Sequence, residues 1–323
     1  MPLPDCRIGI LGPGRIAAAF AEAIPHATGC RLQSVASRDP VRAAAFARQH
    51  EAVTAHSSYE ALAADPEVDL IYIATPHRFH AEQIRLCLEA DKAVLCEKPI
   101  TTSAAELAPL IALASEKGLF LMEGLWSRCL PAWLQARSWI KEGRIGPARF
   151  ASADFGFRAA WNPADRLLNP DLAGGALWDV GIYTLAFATW MLGTELQQVH
   201  AAVRRGGTGV DEDSALLLRF ATGAAAQLTC SIQTATPQAA RVEGPNGSIT
   251  LRHPFWKSNE VYVDDGKADE SMVFAEEVPG FTHEIRHVRD CLRQGRSESP
   301  LVPLAESLLW QQIIDQALAR TTG

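Results

Sequence analysis

The sequence predicts an α/β protein with two parts. A doubly wound parallel sheet forms the N-terminal part, and an α+β domain follows it in the sequence. In the first third of the 323 residues, short apolar segments alternate with helical ones, a rhythm typical of parallel strands covered on both faces. After about Gly124 this rhythm ends, and strand-like segments follow one another. The change predicts domains at 1–124 and 125–323, the second built on a mostly antiparallel sheet.

The N-terminal part is predicted to contain five strands with a helix between each strand and the next. The strands are the segments CRIGILG, CRLQSVAS, VDLIYIAT, KAVLCEKP and LFLMEG. The helices are RIAAAFAEAI, PVRAAAFARQH, HAEQIRLCLEA and SAAELAPLIALASEKG. In open α/β sheets of this kind, ligands gather at the carboxyl ends of the strands.

The C-terminal part is predicted to begin with a helix at 131–142 and to continue mainly as strands. The strand segments are ARFASADFG, SALLLRF, AAQLTCSIQ, AARVEG and SITL, and Asn246-Gly247 marks a tight turn between the last two. One long apolar helix, at about 176–192, lies among them and contains Asp179. This helix is too short and too polar to span a bilayer, so no membrane partner is expected.

Composition argues against several classes of partner. The formal net charge is −7 and the pI is about 5.7, a balance that does not favour DNA, RNA or anionic lipid. The seven cysteines are dispersed without a C-x-x-C pair, which indicates free thiols in a reducing compartment. The segment MPLPDCRIGI lacks a basic region followed by an apolar stretch, so no signal peptide is expected and a cytoplasmic protein is predicted.

A glycine motif at the end of the first predicted strand indicates a dinucleotide site. The segment GILGPGRIAAAF carries Gly12-x-Gly14-x-x-Ala17 and opens a predicted helix, as a Rossmann fold requires. Gly12 permits the tight turn, Gly14 lets the backbone approach the pyrophosphate, and Ala17 lets the helix pack closely on the strand. The helix N-terminus attracts the anion. An ordinary glycine turn at a strand end is the alternative.

The residues after the second predicted strand favour NADP over NAD. An NAD site usually has an acidic residue here that bonds the ribose 2′-hydroxyl, whereas this strand ends in Ser37-Arg38. A hydroxyl and a guanidinium suit a 2′-phosphate, and Arg42 follows on the next helix. In the alternative, Asp39 turns inward to serve NAD, or Arg38 is an exposed residue of a turn. NADP is therefore predicted, with NAD as the alternative.

The segment HEIRH at 283–287 fits the H-E-x-x-H motif of zinc peptidases. On a helix, Phe281, Ile285 and Val288 share one apolar stripe, and the two histidines fall on the opposite, solvent side. A catalytic zinc site needs a third ligand in a walled pocket, and no well-placed third ligand follows. Two exposed helix histidines are the favoured interpretation, and no metal is predicted here or at His77 and His80.

Two further segments carry reactive side chains where a substrate could bind. Glu97-Lys98-Pro99 ends a predicted parallel strand, where a lysine can hold or relay a proton; a surface lysine in a proline turn is the alternative. Asp179 and Tyr183 are four residues apart and share a face of an otherwise very apolar helix. A buried carboxylate is costly without a partner, so Asp179 indicates a site unless it is a capping residue near the helix start.

Together, the segments GILGPGRIA, IATPHRFH, VLCEKPI and GGALWDVGIY resemble the Gfo/Idh/MocA-type oxidoreductases over essentially the whole chain. The segments VASRD, LCEKPI, LFLMEGLWSR and ESPLVPLAES are most similar to the branch that contains dihydrodiol and NADP-dependent xylose dehydrogenases. The resemblance implies a Rossmann domain and a domain with a large open-faced sheet that often forms a dimer interface. The expected partners are a small-molecule substrate and a second copy of the chain in a homodimer.

The resemblance also implies roles for individual residues. Lys98 is central to catalysis, and Tyr183 stands where many family members carry histidine, with a catalytic role in this branch. A tyrosine with a pKa of about 10 needs help to exchange protons at neutral pH, which the Lys98 ammonium would give. We therefore expect Tyr183 as the acid/base, Lys98 polarising the substrate oxygen, and Asp179 orienting the substrate or tuning the pair.

The expected binding residues follow from the motifs and the resemblance together. Those expected to bind the cofactor are Gly12, Gly14, Arg15, Ile16, Ser37, Arg38, Arg42, Thr75, Pro76, His77, His80, Glu97 and Lys98. His80 is expected to pack rather than react. Those expected to bind substrate are Trp126, Phe157, Trp161, Asp179 and Tyr183. For the first three, ordinary core or interface aromatics are the alternative.

The expected function is hydride transfer between NADP and a carbinol or carbonyl carbon of a diol, an aldose or a dicarbonyl. An NAD-dependent sugar or polyol dehydrogenase is the alternative within the same class. A dinucleotide-sensing regulator without catalysis is the alternative outside it. Such a regulator would have no reason to retain Lys98, Asp179 and Tyr183 together.

Overall fold

The computed structural model describes residues 5–266 and 269–319, which form two compact units. The first unit consists of the chain up to Trp126 together with Glu276–Ser307. The second consists of Ser127–Ala275 together with the chain from Leu308 onward. The units are therefore not the continuous ranges 1–124 and 125–323 that the sequence predicts, because a late segment returns to the first unit.

The first unit is built on six strands in the order β3-β2-β1-β4-β5-β6, and all neighbours are parallel. The strands are β1 (Cys6–Leu11), β2 (Cys30–Ala36), β3 (Thr54–His56), β4 (Leu70–Ile73), β5 (Ala93–Glu97) and β6 (Leu121–Gly124). The helices between them are α1 (Arg15–Ala23), α2 (Pro40–Gln49), α3 (Tyr59–Ala63), α4 (His80–Glu89) and α5 (Ala104–Lys117). This confirms the doubly wound sheet, to which the short β3 and α3 are additions.

The strand order of this sheet fixes where a ligand can bind. The order reverses between β1 and β4, and in a doubly wound sheet the crevice at that point lies outside the carboxyl ends of the strands. The glycine loop follows β1 and the segment that begins at Thr75 follows β4. Both loops therefore border the crevice.

The second unit is built on eight strands in the order β14-β13-β12-β11-β7-β10-β9-β8. They are β7 (Phe150–Gly156), β8 (Leu196–Arg205), β9 (Asp211–Phe220), β10 (Ala225–Ser231), β11 (Ala240–Gly244), β12 (Gly247–Leu251), β13 (Glu260–Asp264) and β14 (Asp269–Val273). Neighbours are antiparallel except β7 and β10, which confirms the mostly antiparallel sheet. Gly244 pairs with Gly247, so the predicted turn at Asn246-Gly247 joins β11 to β12.

Two helices lie early in this unit, α6 (Pro131–Lys141) and α7 (Ile182–Leu192). Every residue of α7 is buried, and the helix packs on β7 and β10. The segment Pro170–Leu192, which is longer than the helix predicted at about 176–192, has the length and composition of a membrane span, but 89% of its apolar 18-residue window is buried inside the protein. Its apolar character is therefore explained by a place in the core.

Among the described residues, the other face of the second sheet is exposed along β9. Along β9 the side chains alternate, since Leu216 and Leu218 are buried whereas Ala215, Leu217 and Arg219 are exposed. Alternation of this kind is typical of a sheet with one covered face. Leu217, at the middle of the strand, is 50% exposed on this face.

Two helices end the described chain, α8 (Phe281–Arg293) and α9 (Leu304–Ala319). The predicted apolar stripe of α8 is buried and packs on the first unit, where the Phe281 ring lies 5.8 Å from the ring of Phe20. Arg286 Nη2 also donates to the carbonyl oxygen of His26 at 2.8 Å. These contacts explain why residues 276–307 belong to the first unit.

Candidate active site

The glycine loop after β1 makes a tight turn that only glycine fits. Gly12 has a φ of +94°, and a Cβ there would lie 2.6 Å from Cγ2 of Thr75. Its amide donates to the carbonyl oxygen of Ala36 at 3.1 Å, which fixes the loop against the end of β2. The structure thus brings together Gly12 and Thr75, two of the residues predicted to bind the cofactor.

Gly14 and the first turn of α1 form a cradle that fits a pyrophosphate. Gly14 has a φ of −104°, and the nearest atom to a Cβ there is the carbonyl oxygen of Ala74 at 3.9 Å, so neither backbone nor packing requires glycine. Its smallness matters only if a ligand approaches the backbone closely. Among the described residues no side chain caps the first amides of α1, and Arg15 and Ile16 are exposed beside them.

Asp39, the acidic residue that could have served NAD, is engaged elsewhere. Its Oδ1 accepts hydrogen bonds from the amides of Val41 at 2.9 Å and Arg42 at 3.3 Å, so it caps α2. The Ser37 hydroxyl accepts from the amide of Asp39 at 3.1 Å. Because its carboxylate binds the helix, Asp39 is not turned inward, which favours NADP.

Two exposed arginines border the same loops. Arg42 Nη2 donates to the carbonyl oxygen of Pro13, in the glycine loop, at 3.2 Å. The guanidinium of Arg38 lies 5.7 Å from the centroid of the Phe79 ring. Pro76, in the same loop as Phe79, is exposed. Two positive charges thus lie beside the loops that follow β1 and β4, and their role in binding a 2′-phosphate stays a prediction.

His80 ties two loops of the crevice together. Its ring is fully buried, and the two ring nitrogens lie 2.8 Å from the carbonyl oxygens of Thr75 and Pro99. Burial lowers the pKa of His80, and the contacts with the two carbonyl oxygens offset this shift only in part. The half-buried ring of His77 stands 5.8 Å away, edge-on. That His80 packs rather than reacts stays a prediction, with which these contacts are compatible.

The turn after β5 is fixed from several sides. Tyr72 Oη donates to Oε1 of the buried Glu97 at 2.5 Å. The amide of Ile100 donates to Oε1 of Glu123 at 3.0 Å. Between these anchored residues Lys98 is half-buried at the carboxyl end of β5, on the edge of the sheet that also carries the glycine loop.

In the second unit, an aspartate from β9 holds the start of the helix that contains GGALWDVGIY. Asp211 is buried, and its Oδ2 accepts a hydrogen bond from the amide of Leu177 at 2.7 Å. Gly175 has a φ of +135°, and a Cβ there would overlap the Asp211 carboxylate. Burial raises the pKa of Asp211 to about 6. The first turn, Leu177–Gly181, is a π turn, a form frequent at functional sites.

Asp179, in this π turn, pairs with an arginine. It is only 5% exposed, and its Oδ1 lies 2.7 Å from Nη1 of Arg166. Burial lowers the pKa of Arg166, but the carboxylate of Asp179 more than offsets this and leaves the pKa raised. The pair supplies the partner that a buried carboxylate needs, and Arg166 joins the candidate residues.

Tyr183 is buried among aromatic rings. Its ring centroid lies 5.5 Å from that of Phe155 and 6.0 Å from that of Trp256, and these two rings stack at 5.2 Å. Neither Phe155 nor Trp256 is among the predicted site residues. The alternation of β7 could have placed Phe155 on the buried face, whereas Trp256 lies in a short turn with no periodic signal.

The three aromatic residues that were predicted to bind substrate lie in different surroundings. Trp126, in the first unit, is half-buried, with its ring 5.1 Å from that of Phe281. Phe157 directly follows β7, and its amide donates to the carbonyl oxygen of Ser231 at 3.0 Å. Trp161 is 61% exposed. A substrate-binding role for these residues stays a prediction.

In the HEIRH segment of α8 the two histidines are half-buried, whereas the glutamate between them is fully buried. His283 and His287 are half-buried, not solvent-exposed as predicted. For His287, Ser299 Oγ from the chain after α8 lies 2.7 Å from Nε2. Burial lowers the pKa of both histidines. Glu284 is fully buried, and within the described chain neither carboxylate oxygen has a hydrogen-bond partner. In residues 5–266 and 269–319, no three His, Cys, Asp or Glu side chains could hold a metal.

Glu284→Gln is expected to change how stability depends on pH. Burial, and then the carboxylate of Glu97, raise the pKa of Glu284 well above its ordinary value. The folded protein keeps this proton at pH values where the unfolded chain loses it, so the contribution of Glu284 to the free energy of unfolding falls as pH rises above about 4.3. Glutamine does not titrate, so Glu284→Gln removes this loss, which amounts to up to ~1.4 kcal/mol of unfolding free energy per pH unit.

Urea unfolding of wild type and Glu284→Gln between about pH 5 and pH 8 measures the effect. The control is Glu116→Gln, which replaces an exposed glutamate. The stability of Glu284→Gln relative to wild type should increase with pH, and that of Glu116→Gln should not. Parallel curves for all three proteins would mean that Glu284 is ionised in the fold.

Comparison with known proteins places both units in one family. Residues 6–125 match the oxidoreductase family with an NAD-binding Rossmann fold, and residues 133–250 match the GFO/IDH/MocA C-terminal domain. The chain is 39% identical over 324 residues to trans-1,2-dihydrobenzene-1,2-diol dehydrogenase of Mus musculus, covering 96% of this chain and 95% of the relative. The enzyme of the same name from Oryctolagus cuniculus is 37% identical over 318 residues, with 95% and 96% covered.

Solved structures agree with this assignment. An aldose-aldose oxidoreductase from Caulobacter crescentus has a TM-score of 0.88 at 25% identity, covering 98% of this chain and 97% of that one. A 3-ketoreductase from Actinomadura kijaniata, in complex with NADP and TDP-benzene, has a TM-score of 0.85 at 28% identity, with the same coverage. With both domains matched and full-length relatives above 35% identity, the chain belongs to the Gfo/Idh/MocA family and is an oxidoreductase with a nicotinamide-dinucleotide-binding Rossmann domain.

Proposed function

We propose that the protein is an NADP-dependent dehydrogenase that acts on a CH–OH group of a vicinal diol or an aldose, or reduces the corresponding carbonyl. The fixed turn after β5 carries this proposal. Glu97 and Ile100 are bound on either side of it, and Lys98 is held at the edge of the sheet that carries the glycine loop. An ammonium carried by this fixed turn suits a substrate oxygen that gains negative charge.

The cofactor residues are proposed in three groups. Gly12, Gly14 and the first turn of α1, with Arg15 and Ile16, take the pyrophosphate. The second group, for the 2′-phosphate, is Ser37, Arg38 and Arg42. The third, toward the nicotinamide, is Thr75, Pro76, His77, His80, Glu97 and Lys98. When bound, NADP supplies or accepts a hydride at C4 of the nicotinamide.

Arg38→Ala is expected to weaken NADPH binding by roughly 10- to 100-fold, because it removes a charge-assisted contact worth about 1.5–3 kcal/mol. NADH lacks the 2′-phosphate, so its affinity should not change. Fluorescence titration with each cofactor measures both affinities, and the exposed Arg48→Ala, at the far end of α2, is the control. Equal losses for NADPH and NADH would mean that Arg38 does not read the 2′-phosphate, and tighter NADH binding by wild type would favour an NAD-dependent dehydrogenase.

The chemical roles are proposed for three residues. In the oxidation of an alcohol, Tyr183 accepts the proton of the hydroxyl group, and the hydride passes from the carbon that bears this hydroxyl to NADP⁺. Lys98 stabilises the negative charge that develops on the substrate oxygen. Asp179, held by Arg166 at 2.7 Å, orients the substrate. Structures of the Actinomadura ketoreductase include a lysine-to-alanine and a tyrosine-to-phenylalanine variant, which supports attention to these two residue types.

The substrate class is proposed from the names of the relatives and tested by a screen. The mouse and rabbit relatives are named for a trans-diol, and the Caulobacter structure is of an aldose oxidoreductase. Reduction of NADP⁺ is followed with cyclic trans-diols and aldoses, and oxidation of NADPH with dicarbonyls. Turnover of at least one class supports the proposal. Tight NADPH binding without turnover of any would favour a non-catalytic dinucleotide sensor.

We propose a homodimer through the open face of the second sheet. Ala215 and Leu217 of β9 project from this face, and Leu217 is 50% exposed. Leu217→Arg is expected to convert the dimer to a monomer, because a buried unpaired charge is costly at an interface. Light scattering on a sizing column measures the mass, with Val53→Arg, exposed in the first unit, as the control. A variant that remains dimeric would place the interface elsewhere.

A cytoplasmic location is proposed from the thiols. All seven cysteines are free. Free thiols in this number are typical of a reducing compartment. Fractionation of the source cells with an antibody tests the location, and recovery in an oxidising compartment would contradict it.

A further inference from the structure

Cys6 and Cys30 face each other at the start of two neighbouring strands. Cys6 opens β1, Cys30 opens β2, and the two are paired in register in this parallel part of the sheet. Paired residues of parallel strands project to the same face, and strands lie about 4.8 Å apart. Disulfides join Cα atoms about 4.4–6.8 Å apart, so the Cα spacing expected for this strand pair is compatible with a disulfide.

The two thiols differ in exposure and in acidity. Cys6 is 9% exposed, whereas Cys30 is half-buried and open to small reagents. Interaction with Cys30 and burial raise the pKa of Cys6, whereas interaction with Cys6 lowers the pKa of Cys30. Cys30 is therefore the better nucleophile, and Cys6 keeps its proton.

Helix α8 adds positive charge beside Cys30. Arg289 Nη1 donates to the carbonyl oxygen of Thr28, two residues before Cys30. A Cβ on Gly29 would lie 2.5 Å from Nη2 of Arg293, so this guanidinium rests on the backbone next to Cys30. Both arginines favour the thiolate of Cys30.

The acidic groups near the pair act in the opposite direction. Asp5 disfavours the thiolate of Cys30, and Asp69 disfavours that of Cys6. Asp69 is engaged by Arg7, whose Nη2 lies 2.8 Å from Asp69 Oδ1. The net balance still leaves Cys30 as the activated thiol.

We propose that Cys6 and Cys30 form a redox-active dithiol that peroxides oxidise to a reversible disulfide. The thiolate of Cys30 attacks a peroxide oxygen, the O–O bond breaks, and a sulfenic acid and hydroxide form. The thiol of Cys6 then displaces the hydroxyl from the Cys30 sulfur, forming the S–S bond and releasing water. The two sulfurs lose two electrons in total, and one peroxide is reduced.

This modification site is separate from the cofactor site. Cys6 and Cys30 lie at the amino ends of β1 and β2, whereas the glycine loop and Ser37 follow the carboxyl ends of the same strands. Binding of NADPH is therefore expected to survive oxidation, and the inference does not depend on the proposed function.

Hydrogen peroxide treatment of the full chain, followed by alkylation and peptide mass spectrometry, tests the proposal. The expected result is a Cys6–Cys30 bridged peptide, a mass loss of two hydrogen atoms, and reversal by dithiothreitol. Cys30→Ser should slow thiol oxidation at least about tenfold, because the activated nucleophile is lost. Cys6→Ser should leave Cys30 as a sulfenic acid that a 1,3-diketone reagent traps.

Cys129→Ser is the matched control, since Cys129 is buried in the second unit and is expected to have no effect. NADPH titration of each variant verifies that the Rossmann unit is folded. Oxidation spread over all seven cysteines, or a Cys30→Ser variant that oxidises as fast as wild type, would overturn the proposal.

Discussion

Lys98→Met is expected to lower kcat by roughly 10³-fold, or about 4 kcal/mol of transition-state stabilisation, while NADPH binding stays close to wild type. The turn that carries Lys98 is held by Glu97, bound to Tyr72, and by Ile100, bound to Glu123. Because these anchors do not use the lysine side chain, its replacement removes the ammonium and leaves the turn in place. Steady-state kinetics with the best substrate of the screen and NADPH titration measure the two effects.

The matched control is Lys141→Met, which removes an exposed lysine at the end of α6. Its kinetics should equal those of wild type. If Lys98→Met kept more than about a tenth of wild-type kcat, the lysine would not stabilise the transition state as proposed. If both NADPH binding and kcat were lost, Lys98 would act on cofactor binding first.

Tyr183→Phe is expected to lower kcat by about 10²–10³-fold, the usual range for loss of a general acid or base. Only the hydroxyl is removed, so the ring contacts with Phe155 and Trp256 are retained. KM should change little, because the loss falls on proton transfer rather than on substrate packing. The same steady-state assay measures both constants.

Tyr59→Phe, at the start of α3 in the first unit, is the control for this substitution and should be silent. Near-normal turnover by Tyr183→Phe would assign the acid/base role to another group. In that case Asp179 with Arg166 would be the next pair to replace, since both lie on or beside the same π turn.

The parallel sheet could be predicted because its signals are local. Segments such as LIYI in β4 and AVLCE in β5 are almost continuously apolar, as buried parallel strands are, and each is followed by a helical segment. The positive φ of Gly12 is a local requirement as well, so the glycine motif identified the loop. Short edge strands such as β3 and β14 carry weaker signals and were not predicted. The longer edge strand β8 and the strand β13 were not among the predicted strands either.

The return of α8 to the first unit could not be read from the chain, because it depends on contacts over long separations. Phe281 meets Phe20, and Arg286 meets the carbonyl oxygen of His26. The apolar stripe predicted that α8 is covered on one side but not by which unit. A single boundary at residue 124 therefore separated residues 276–307 from the first unit, to which they belong.

Some site residues had signals that the sequence interpretation did not use. Asp39 precedes Pro40, the arrangement of a helix cap followed by proline at the first position, and the structure has that cap. Glu284 follows Phe281 by three residues and precedes Val288 by four, so helical spacing alone puts it on the buried stripe. The zinc-like pattern drew attention to the flanking histidines instead.

Other partners had no signal at all. Asp211, on β9, accepts a hydrogen bond from the amide of Leu177 at the start of the π turn. Arg166, in an irregular segment, binds Asp179. Each pair joins residues whose separation follows no helical or strand period. Such partners become visible only when the fold brings the elements together, although a carboxylate in a very apolar helix does indicate that some partner exists.

Direct hydride transfer is the central claim, and deuterium labelling tests it most directly. The best substrate of the screen is prepared with deuterium on its carbinol carbon and incubated with the protein and NADP⁺. The proposed function predicts that the deuterium is recovered at C4 of the reduced nicotinamide, with none released to water. Deuterium in the solvent, or no turnover of any diol, aldose or dicarbonyl in the presence of bound NADP, would contradict it.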